Sequence, residues 1–384
     1  MTGTIPLSLY VHLPWCLHKC PYCDFHSLAH TAAAMPERDY VRALLRDLEG
    51  MAPVLAGRPL ASVFFGGGTP SLFSAGAIAD VLAAALRIGT LATDCEITLE
   101  ANPGAIEAGR FRAFREAGIN RLSIGVQSFN DRHLARLGRI HTGADAHRAL
   151  SRAAAAGFRS FNIDLMYGLP DQTVEEAARD MEEALAASPA HLSLYELTIE
   201  PHTAFAHDPP PLPAESVRGG IEACVQELAG GAGLRRYEIS AYAKEGFRCR
   251  HNLNYWQFGD YIGIGSGAHA KLTAAAGTWR EARTRDVQAY LRDPYHDVHR
   301  RFVHGDELLW EFLLNGLRLT DGFAAEDFCI RTGLSYASLR ERLRTAAEGG
   351  LVSLASNRVR ATPHGLRFLD SILAPLVPDA QAEG

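Results

Sequence analysis

The sequence predicts an α/β protein in which a parallel sheet is followed by a small helical domain. Short apolar runs rich in β-branched and aromatic residues alternate six times with longer amphipathic runs. Gly118 and Gly157 each stand just before an apolar run, where a left-handed residue commonly ends a helix. From about residue 305 the strand-like runs give way to closely spaced helical runs. Because parallel strands need crossover helices, the alternation indicates a parallel sheet.

Each element of the first half follows from this alternation. The candidate strands are Leu7–Leu13, Ser62–Phe65, Glu96–Ala101, Arg121–Gln127, Phe161–Met166 and His191–Ile199. The candidate helices between them are Glu37–Glu49, Ala75–Arg87, Ile106–Glu116, Ala144–Ala156 and Thr173–Ala187. Periodicity leaves open whether such a sheet is flat or rolled into a barrel.

The second half divides at a proline-rich loop over residues 200–214 and again near residue 305. The elements predicted there are Glu215–Leu228, Tyr237–Tyr242, Asp306–Leu319, Ala324–Thr332, Tyr336–Ala347, Leu351–Leu354, Arg358–Ala361 and Pro363–Leu373. We therefore expect a barrel core over residues 1–235, an extension over 236–304, a cap over 305–375 and a tail over 376–384.

The predicted C-terminal cap has the element order of a winged helix. Residues 305–384 contain 8 Arg, no Lys and 11 acidic residues, which gives a net charge of −3. A domain that reads DNA usually presents clustered cations. We therefore interpret this region as a small α+β cap and not as a DNA reader.

The composition indicates a folded protein without a polyanionic partner. Hydrophobic residues make up 47% of the 384 residues, charged residues 21%, and the net charge is −6. We therefore expect no nucleic acid as a partner. The sequence shows no secretory leader and no run of ~18 apolar residues. We expect a cytoplasmic protein without a transmembrane segment, for which peripheral membrane contact stays open.

Three of the seven cysteines form the strongest motif in the chain. Cys16, Cys20 and Cys23 have the spacing C-x3-C-x2-C directly after the first predicted strand. Three thiolates on one short loop can hold a [4Fe–4S] cluster and leave its fourth iron free for an exchangeable ligand. The same thiolates with His18 or His26 could instead hold zinc. The spacing alone also allows buried cysteines without a metal.

This loop resembles that of the radical S-adenosylmethionine superfamily, in which an aromatic residue such as Tyr22 precedes the last cysteine. The resemblance implies that Cys16, Cys20 and Cys23 hold a [4Fe–4S] cluster, and that the amino and carboxylate groups of S-adenosylmethionine chelate the open iron. It also implies a partial (βα)6 barrel of the TIM type. Tyr10, at the start of the segment, and Tyr22 are candidates for contact with the cofactor.

Polar and glycine residues at the ends of the next strands are further candidates. Gly66, Gly67, Gly68 and Thr69 follow the second strand, where glycines let the backbone approach a ligand. The segment resembles the part of the family that contacts the methionine amino group, although an ordinary turn has the same composition. Glu100, at the end of the third strand, can accept hydrogen bonds from ribose hydroxyls, or can be a solvated rim charge.

The fourth and fifth strands add Gln127, Arg139 and Asp164. An unpaired carboxylate in the apolar fifth strand would be costly, so Asp164 should be paired, and we expect Arg139 as its partner. These segments closely resemble the oxygen-independent coproporphyrinogen III oxidase family. There the matching Gln, Arg and Asp line a second S-adenosylmethionine position beside the first.

Two departures separate this chain from the oxidase itself. The oxidase has a fourth cysteine two residues after the third, where this chain has Phe25. The oxidase also has a long extension before its first strand, where this chain has about six residues. A site without that cover would exclude water poorly, which is unfavourable for radical intermediates. Both departures match the HemW subgroup, whose members bind heme and are proposed to deliver it.

A third segment, with the pattern H-N-x-x-Y-W, resembles one shared by HemW and related heme-handling proteins. His251 offers an imidazole for axial iron ligation, and Tyr255 and Trp256 offer flat apolar surface for a porphyrin. From the residues alone, Trp256 can equally be a core anchor and His251 a hydrogen-bonded surface group.

The resemblance predicts a heme chaperone that uses a [4Fe–4S] cluster, S-adenosylmethionine and heme. Its partner would be a heme-acceptor protein, with a respiratory protein as one option. The alternative is coproporphyrinogen III oxidase, which decarboxylates its substrate oxidatively to protoporphyrinogen IX. Phe25 speaks against this alternative, and whether the protein is an enzyme is left undecided by the sequence.

Overall fold

The structure is a computed structural model that describes residues 5–29, 35–105, 109–158 and 160–378. Six parallel strands lie side by side in chain order at the centre of one large sheet. We label them β1 to β6; they are Leu7–Leu13, Pro59–Gly67, Thr90–Ala101, Arg121–Gln127, Ser160–Tyr167 and His191–Glu196. The predicted bounds of β1 and β4 are confirmed, and the other four strands are found with shifted ends.

Further strands extend this sheet at both edges. Asp260–Ile264 pairs with β1 in parallel, and an antiparallel run of strands continues outward from it: His269–Ala274, Gly277–Ala282 and His299–Val303. Beyond β6 lie Ala241–Ala243 and Arg235–Arg236. The single strand predicted over Tyr237–Tyr242 is therefore wrong, because residues 237–240 form the connection between these two short strands.

Amphipathic helices connect the parallel strands. The connecting helices are Glu37–Gly50, Ala52–Leu55, Ala75–Ile88, Arg110–Glu116, Asp131–Arg136, Gly143–Ala155 and Val174–Ala186. Later helices are Ala204–His207, Glu215–Gly231, Arg250–Trp256 and Val287–Arg292. Thr142 and Thr173 each begin a helix with a capping box, in which side chain and backbone satisfy each other's free donors. The predicted helix start at Ile106 lies outside the described residues.

The two faces of the sheet differ in polarity. Leu7, Leu9 and Val11 of β1 are fully buried in the main core, which the sheet forms with its covering helices. The alternate residues of the same strand, which point to the opposite face, include Ser8 and His12. The covered face supplies most of the apolar burial, and the polar face lies towards the inside of the barrel.

A small α+β domain follows the sheet, as predicted. Its helices are Gly305–Gly316, Ala325–Thr332, Tyr336–Arg342, Arg344–Glu348, Pro363–Arg367 and Leu369–Leu373. A sheet of Phe323–Ala324, Arg358–Ala361 and Val352–Leu354 packs beside them. The domain has a core of its own, built around Phe312, Phe328 and Leu339. The predicted long helix Tyr336–Ala347 is broken in the structure at Leu343.

No helix among the described residues is both long enough and apolar enough to cross a membrane.

Candidate functional site

A cavity of about 450 Å³ opens at the carboxyl ends of the six parallel strands. Residues from or directly after every one of these strands line it, from the cysteine loop after β1 to Glu196 at the end of β6. Six neighbouring strands can reach one cavity only if the sheet curves around it, which makes the sheet a partial barrel. Ligands of parallel α/β barrels bind at this end of the strands.

The cysteine loop forms one wall of this cavity. Cys16, Cys20 and Cys23 are each partly exposed and line the cavity, and the backbone N–H of Cys23 donates to the carbonyl of Cys20 at 3.1 Å. The Thr69 hydroxyl donates to the Cys16 Sγ at 3.5 Å. The Arg139 guanidinium donates to the Cys20 Sγ at 3.7 Å. Donors of this kind favour thiolates, the form that ligates iron.

The zinc alternative has no geometric support in the described part of the chain. No group of three His, Cys, Asp or Glu side chains there is placed to hold a single metal ion. His26 stacks on His12 with 5.5 Å between ring centroids, and its Nε2 lies 3.4 Å from the Ser266 hydroxyl. Burial raises the pKa of the Cys16 and Cys23 thiols, and a metal that binds them would displace their protons.

The glycines after β2 give the cavity a wall of bare backbone. Gly67 has a φ of +116°, and a Cβ at this position would lie 2.6 Å from Cε1 of His12. A Cβ on Gly68 would lie 2.6 Å from the carbonyl oxygen of Trp15. Side chains are thus excluded at both positions by the cysteine loop and by β1. Gly67, Gly68 and Thr69 line the cavity, and Gly66 lies just behind it.

Glu100 faces this wall from the end of β3. Its Oε2 accepts a hydrogen bond from the backbone N–H of Gly67 at 3.2 Å. Burial, with a contribution from the nearby Asp164 carboxylate, raises the pKa of Glu100 to about 8. With this pKa Glu100 is largely protonated at neutral pH, and a ligand amine or hydroxyl that donates to it would favour the ionised form.

The predicted pairing of Asp164 with Arg139 is wrong. Asp164 Oδ1 accepts from the Asn162 side-chain amide at 2.7 Å, and its Oδ2 accepts from the Ser123 hydroxyl at 3.2 Å. Arg139 instead donates to the Gly125 carbonyl at 2.7 Å and towards Cys20. Asn162 of the same strand and Ser123 of the adjacent strand β4 satisfy the carboxylate directly, so it needs no cation. Burial nevertheless raises the pKa of Asp164.

Gln127 lies at the end of β4 in an unusual backbone conformation. Its φ is +69°, in the left-handed region that non-glycine residues seldom adopt. The register between β4 and β5 shifts between Gly125 and Gln127, which is the signature of a bulge. The bulge turns the Gln127 side chain into the cavity, where Arg139 and Asp164 also lie.

The H-N-x-x-Y-W segment forms the helix Arg250–Trp256, which we call the motif helix, and it lies against the polar face of the sheet. The interpretation of His251 as a surface residue is wrong, because this side chain is 2% exposed. Its Nδ1 is bonded to the Ser62 hydroxyl at 2.9 Å, and its ring stacks on Phe64 at 4.8 Å. Its Nε2 has no hydrogen-bond partner among the residues that the structure describes. Burial lowers the pKa of His251 to about 3, which keeps the imidazole neutral.

The two aromatic residues of the segment pack against other side chains. Tyr255 packs against His251 and against Tyr261, with 4.4 Å between the two tyrosine ring centroids. The Arg318 guanidinium lies 4.3 Å from the centroid of the Trp256 ring. Neither aromatic residue lines the cavity, and Tyr10 also lies outside its lining, with its hydroxyl 3.1 Å from His12 Nδ1.

Two residues at the floor of the cavity were missed from the sequence. Asn252 is the member of the motif that lines the cavity. Arg121, at the start of β4, also lines it, although the residue is 3% exposed and forms an ion pair with Glu96 at 3.8 Å. Glu96 Oε1 in turn accepts from the backbone N–H groups of Arg250 and His251 at 2.9 and 3.3 Å. The signal that could have indicated this floor is a charged residue, Glu96 or Arg121, at the start of each of two successive predicted strands.

Comparisons with known proteins agree with this geometry. The model of the radical SAM superfamily matches residues 10–183, and that of the HemN C-terminal domain matches residues 303–368. The heme chaperone HemW of Escherichia coli (strain K12) is 46% identical over 369 residues, covering 96% of this chain and 97% of that protein. HemW of Haemophilus influenzae is 45% identical over 373 residues, with the same two coverages of 96% and 97%.

The fold has a solved counterpart. The structure of coproporphyrinogen III oxidase (HemN) from Escherichia coli superposes with a TM-score of 0.81 at 23% identity, over 97% of this chain and 90% of that chain. At this identity the match shows the fold alone. The fold and the cysteine loop therefore define a radical SAM protein, a class whose cofactors are a [4Fe–4S] cluster and S-adenosylmethionine. Within that superfamily, the chain belongs to the HemW family.

Proposed function

We propose that this protein is a heme chaperone, which binds heme and transfers it to an acceptor protein. The observation that carries the proposal is the similarity to HemW proteins at 45–46% identity over almost the full length of both chains. Phe25, at the position of the oxidase's fourth cysteine, supports the same assignment. Its side chain is 62% exposed on the cysteine loop at the cavity.

The residues of the cavity fit the cofactors of the class. Cys16, Cys20 and Cys23 would hold the cluster, which, when bound, offers one iron to chelate S-adenosylmethionine. The bare backbone of Gly67 and Gly68 leaves room for the methionine part of the cofactor. The carboxylates Glu100 and Asp164, with Gln127 and Arg139, are placed to bind its polar groups. These assignments are proposals that rest on the position of each side chain around one cavity.

Heme contact with His251, Tyr255 and Trp256 stays a prediction. In this structure, contact with His251 would require a local movement of the protein. The His251 ring is enclosed by Ser62, Phe64 and Tyr255, so a porphyrin can reach its Nε2 only if the motif helix moves. The unpartnered Nε2 supports a role for this atom, because a buried nitrogen without a hydrogen bond is costly. Heme binding through this segment would therefore be slow and would change the surroundings of the motif helix.

A hemin titration of the purified protein, with and without the reconstituted cluster, tests the proposal. We expect a Soret band that saturates at about one heme per chain. A parallel anaerobic assay supplies coproporphyrinogen III, reductant and S-adenosylmethionine to the cluster-loaded protein. We expect at most traces of protoporphyrinogen IX. Absence of saturable heme binding would contradict the chaperone assignment, and sustained decarboxylation would support the oxidase alternative.

Transfer needs its own measurement, because heme binding alone does not make a chaperone. Heme-loaded protein is mixed with an apo form of a heme-requiring respiratory protein, and the spectrum of the acceptor is followed. We expect the acceptor to gain heme faster from the loaded protein than from serum albumin carrying the same amount of hemin. Equal rates would indicate simple release into solution.

A further inference from the structure

A chain of hydrogen bonds joins the cavity to the beginning of the motif helix. Cys249, the residue before this helix, donates its backbone N–H to the Tyr237 hydroxyl oxygen at 3.3 Å. The Tyr237 hydroxyl is bonded to His191 Nε2 at 2.8 Å, and His191 Nδ1 is bonded to the Asn162 carbonyl oxygen at 2.6 Å. The Asn162 amide then donates to Asp164 at 2.7 Å. The other four residues of this series of hydrogen bonds, Cys249, Tyr237, His191 and Asn162, are each at most 1% exposed.

The chemistry of the two ends gives all four hydrogen bonds one direction. The Asn162 carbonyl oxygen can only accept, so His191 carries its proton on Nδ1 and donates to Asn162. His191 Nε2 therefore accepts the Tyr237 proton, and the Tyr237 oxygen accepts from the Cys249 backbone N–H, which can only donate. At the far end the Asn162 side-chain N–H can only donate, so Asp164 Oδ1 accepts from it. Hydrogen bonds aligned in this way polarise one another, so a change at one end affects the strength of the others.

The remaining hydrogen-bonding groups of the chain are also occupied. The second Asn162 N–H donates to the Ser123 hydroxyl at 2.8 Å, and the Ser193 hydroxyl donates to Asn162 Oδ1 at 3.1 Å. Burial, followed by the positive charge of Arg121, lowers the pKa of His191 well below its usual value, which keeps the ring neutral, as the chain requires. The side chains that form this series of hydrogen bonds thus have little freedom to adopt another arrangement.

We propose that Tyr237 and His191 are positioning residues, which tie the first turn of the motif helix to the carboxylate of Asp164. The inference rests on the proposed function, in which S-adenosylmethionine occupies the cavity and the motif helix serves heme. A ligand that engages Asp164 changes the last hydrogen bond of the chain, and the chain carries this change to the Cys249 amide. Occupation of the cavity thereby sets how firmly the motif helix is held.

Hydrogen exchange of the peptide covering residues 249–256 tests this coupling in the full-length protein with its cluster reconstituted. We expect S-adenosylmethionine to slow exchange of this peptide in the wild type. Tyr237→Phe keeps the ring but removes the hydroxyl, and it leaves the Cys249 amide without a partner. We expect roughly tenfold faster exchange in this variant, the scale of one lost buried hydrogen bond, and no response to S-adenosylmethionine.

Tyr242→Phe is the matched control, because Tyr242 is a buried tyrosine five residues after Tyr237 and takes no part in this series of hydrogen bonds. It should keep the wild-type response. A merely structural role for Tyr237 would speed exchange by the same factor with and without S-adenosylmethionine, and that result would overturn the proposal. A wild-type protein that binds S-adenosylmethionine without any change in this peptide would overturn it as well.

Substitutions at His191 decide the question if Tyr237→Phe does not fold or does not take up the cluster. His191→Leu removes both nitrogens and should abolish the response, whereas His191→Gln keeps a donor and an acceptor and should retain part of it. Equal responses in the two variants would contradict the proposal. These exchange measurements contain no hemin. A failed hemin titration would therefore contradict the proposed heme function, but it would not affect the measured coupling between S-adenosylmethionine and the motif helix.

Discussion

The mouth and the floor of the cavity are built in opposite ways. At the mouth, the cysteine loop and the glycines after β2 present partly exposed thiols and bare backbone. At the floor, polar side chains are buried and bonded to one another, and the motif helix is held by Glu96 through two backbone hydrogen bonds. The mouth is thus arranged to receive groups from outside, whereas the floor is arranged to hold its own residues in one place.

This difference indicates which substitutions should act locally and which should spread. A change at the mouth removes a ligand or blocks an approach and leaves the fold intact. A change at the floor leaves buried partners unsatisfied, which costs free energy of unfolding. Four predictions test this division, in order of decreasing effect.

Replacement of all three cysteines of the loop by alanine should have the largest effect. We expect the variant to lose essentially all of the iron that reconstitution gives the wild type, about four irons per chain for a [4Fe–4S] cluster. Iron and sulfide analysis after anaerobic reconstitution measures this. Cys224→Ala, at a partly exposed cysteine on the Glu215–Gly231 helix, is the control and should keep its iron. Retention of the cluster in the triple variant would remove the loop as its site.

Gly67→Ala should weaken cofactor binding severely without unfolding the protein. The substitution adds a Cβ where φ is +116° and where His12 lies 2.6 Å away, so the backbone after β2 must move. We expect the affinity for S-adenosylmethionine, measured by calorimetry on the cluster-loaded protein, to fall at least about tenfold, a cost typical of backbone strain. Gly76→Ala, on an open helical surface, is the control. Equal affinities in the two variants would contradict the prediction.

His251 should make the floor sensitive to acid. Its pKa is about 3 in the folded protein and about 6.5 when unfolded, so between these values the unfolded chain binds a proton that the folded one does not. Stability is therefore complete above pH 6.5 and falls as the pH decreases, by about 1.4 kcal/mol per pH unit. Urea unfolding of the apoprotein at pH 7 and 5.5 should show this loss.

His251→Gln supplies the comparison, because glutamine can keep the hydrogen bond to Ser62 but does not titrate. We expect its loss of stability over the same pH range to be smaller by about 1.4 kcal/mol. Other histidines contribute equally to both proteins, so the difference reports on His251. Equal losses would show that this histidine is not held neutral.

Glu100→Ala should have the smallest effect of the four. The substitution removes one acceptor from the mouth and leaves the cysteine loop and the floor unchanged. We expect binding of S-adenosylmethionine to weaken by about 1 kcal/mol, the net value of one ordinary hydrogen bond. Calorimetry measures this, and Glu175→Ala, at a glutamate exposed on the Val174–Ala186 helix, is the control. Unchanged affinity with an intact cluster would exclude Glu100 from the site.

The sequence was informative about the mouth and much less so about the floor. The cysteine spacing, the glycine segment and the six strands have local signals, because each depends on residues that are close in the chain. The partner of Asp164 depends on side chains from neighbouring strands, which is why Arg139 was chosen wrongly. Asn162 and His191 gave no signal within apolar strands, and only the packing of the motif helix inside the barrel shows that His251 is buried.

The end of the motif helix has a consequence for the order in which the protein folds. Phe258, two residues after this helix, is buried in the core of the C-terminal domain against Phe312, and Arg331 of that domain donates to the backbone carbonyl of Gln257. The end of the helix that lines the floor of the first domain is thus held by a domain that is synthesised after it. During translation these contacts can form only once residues beyond 331 have left the ribosome. A chain cut short near residue 304 would lose the contact of Phe258 with Phe312 and that of Gln257 with Arg331.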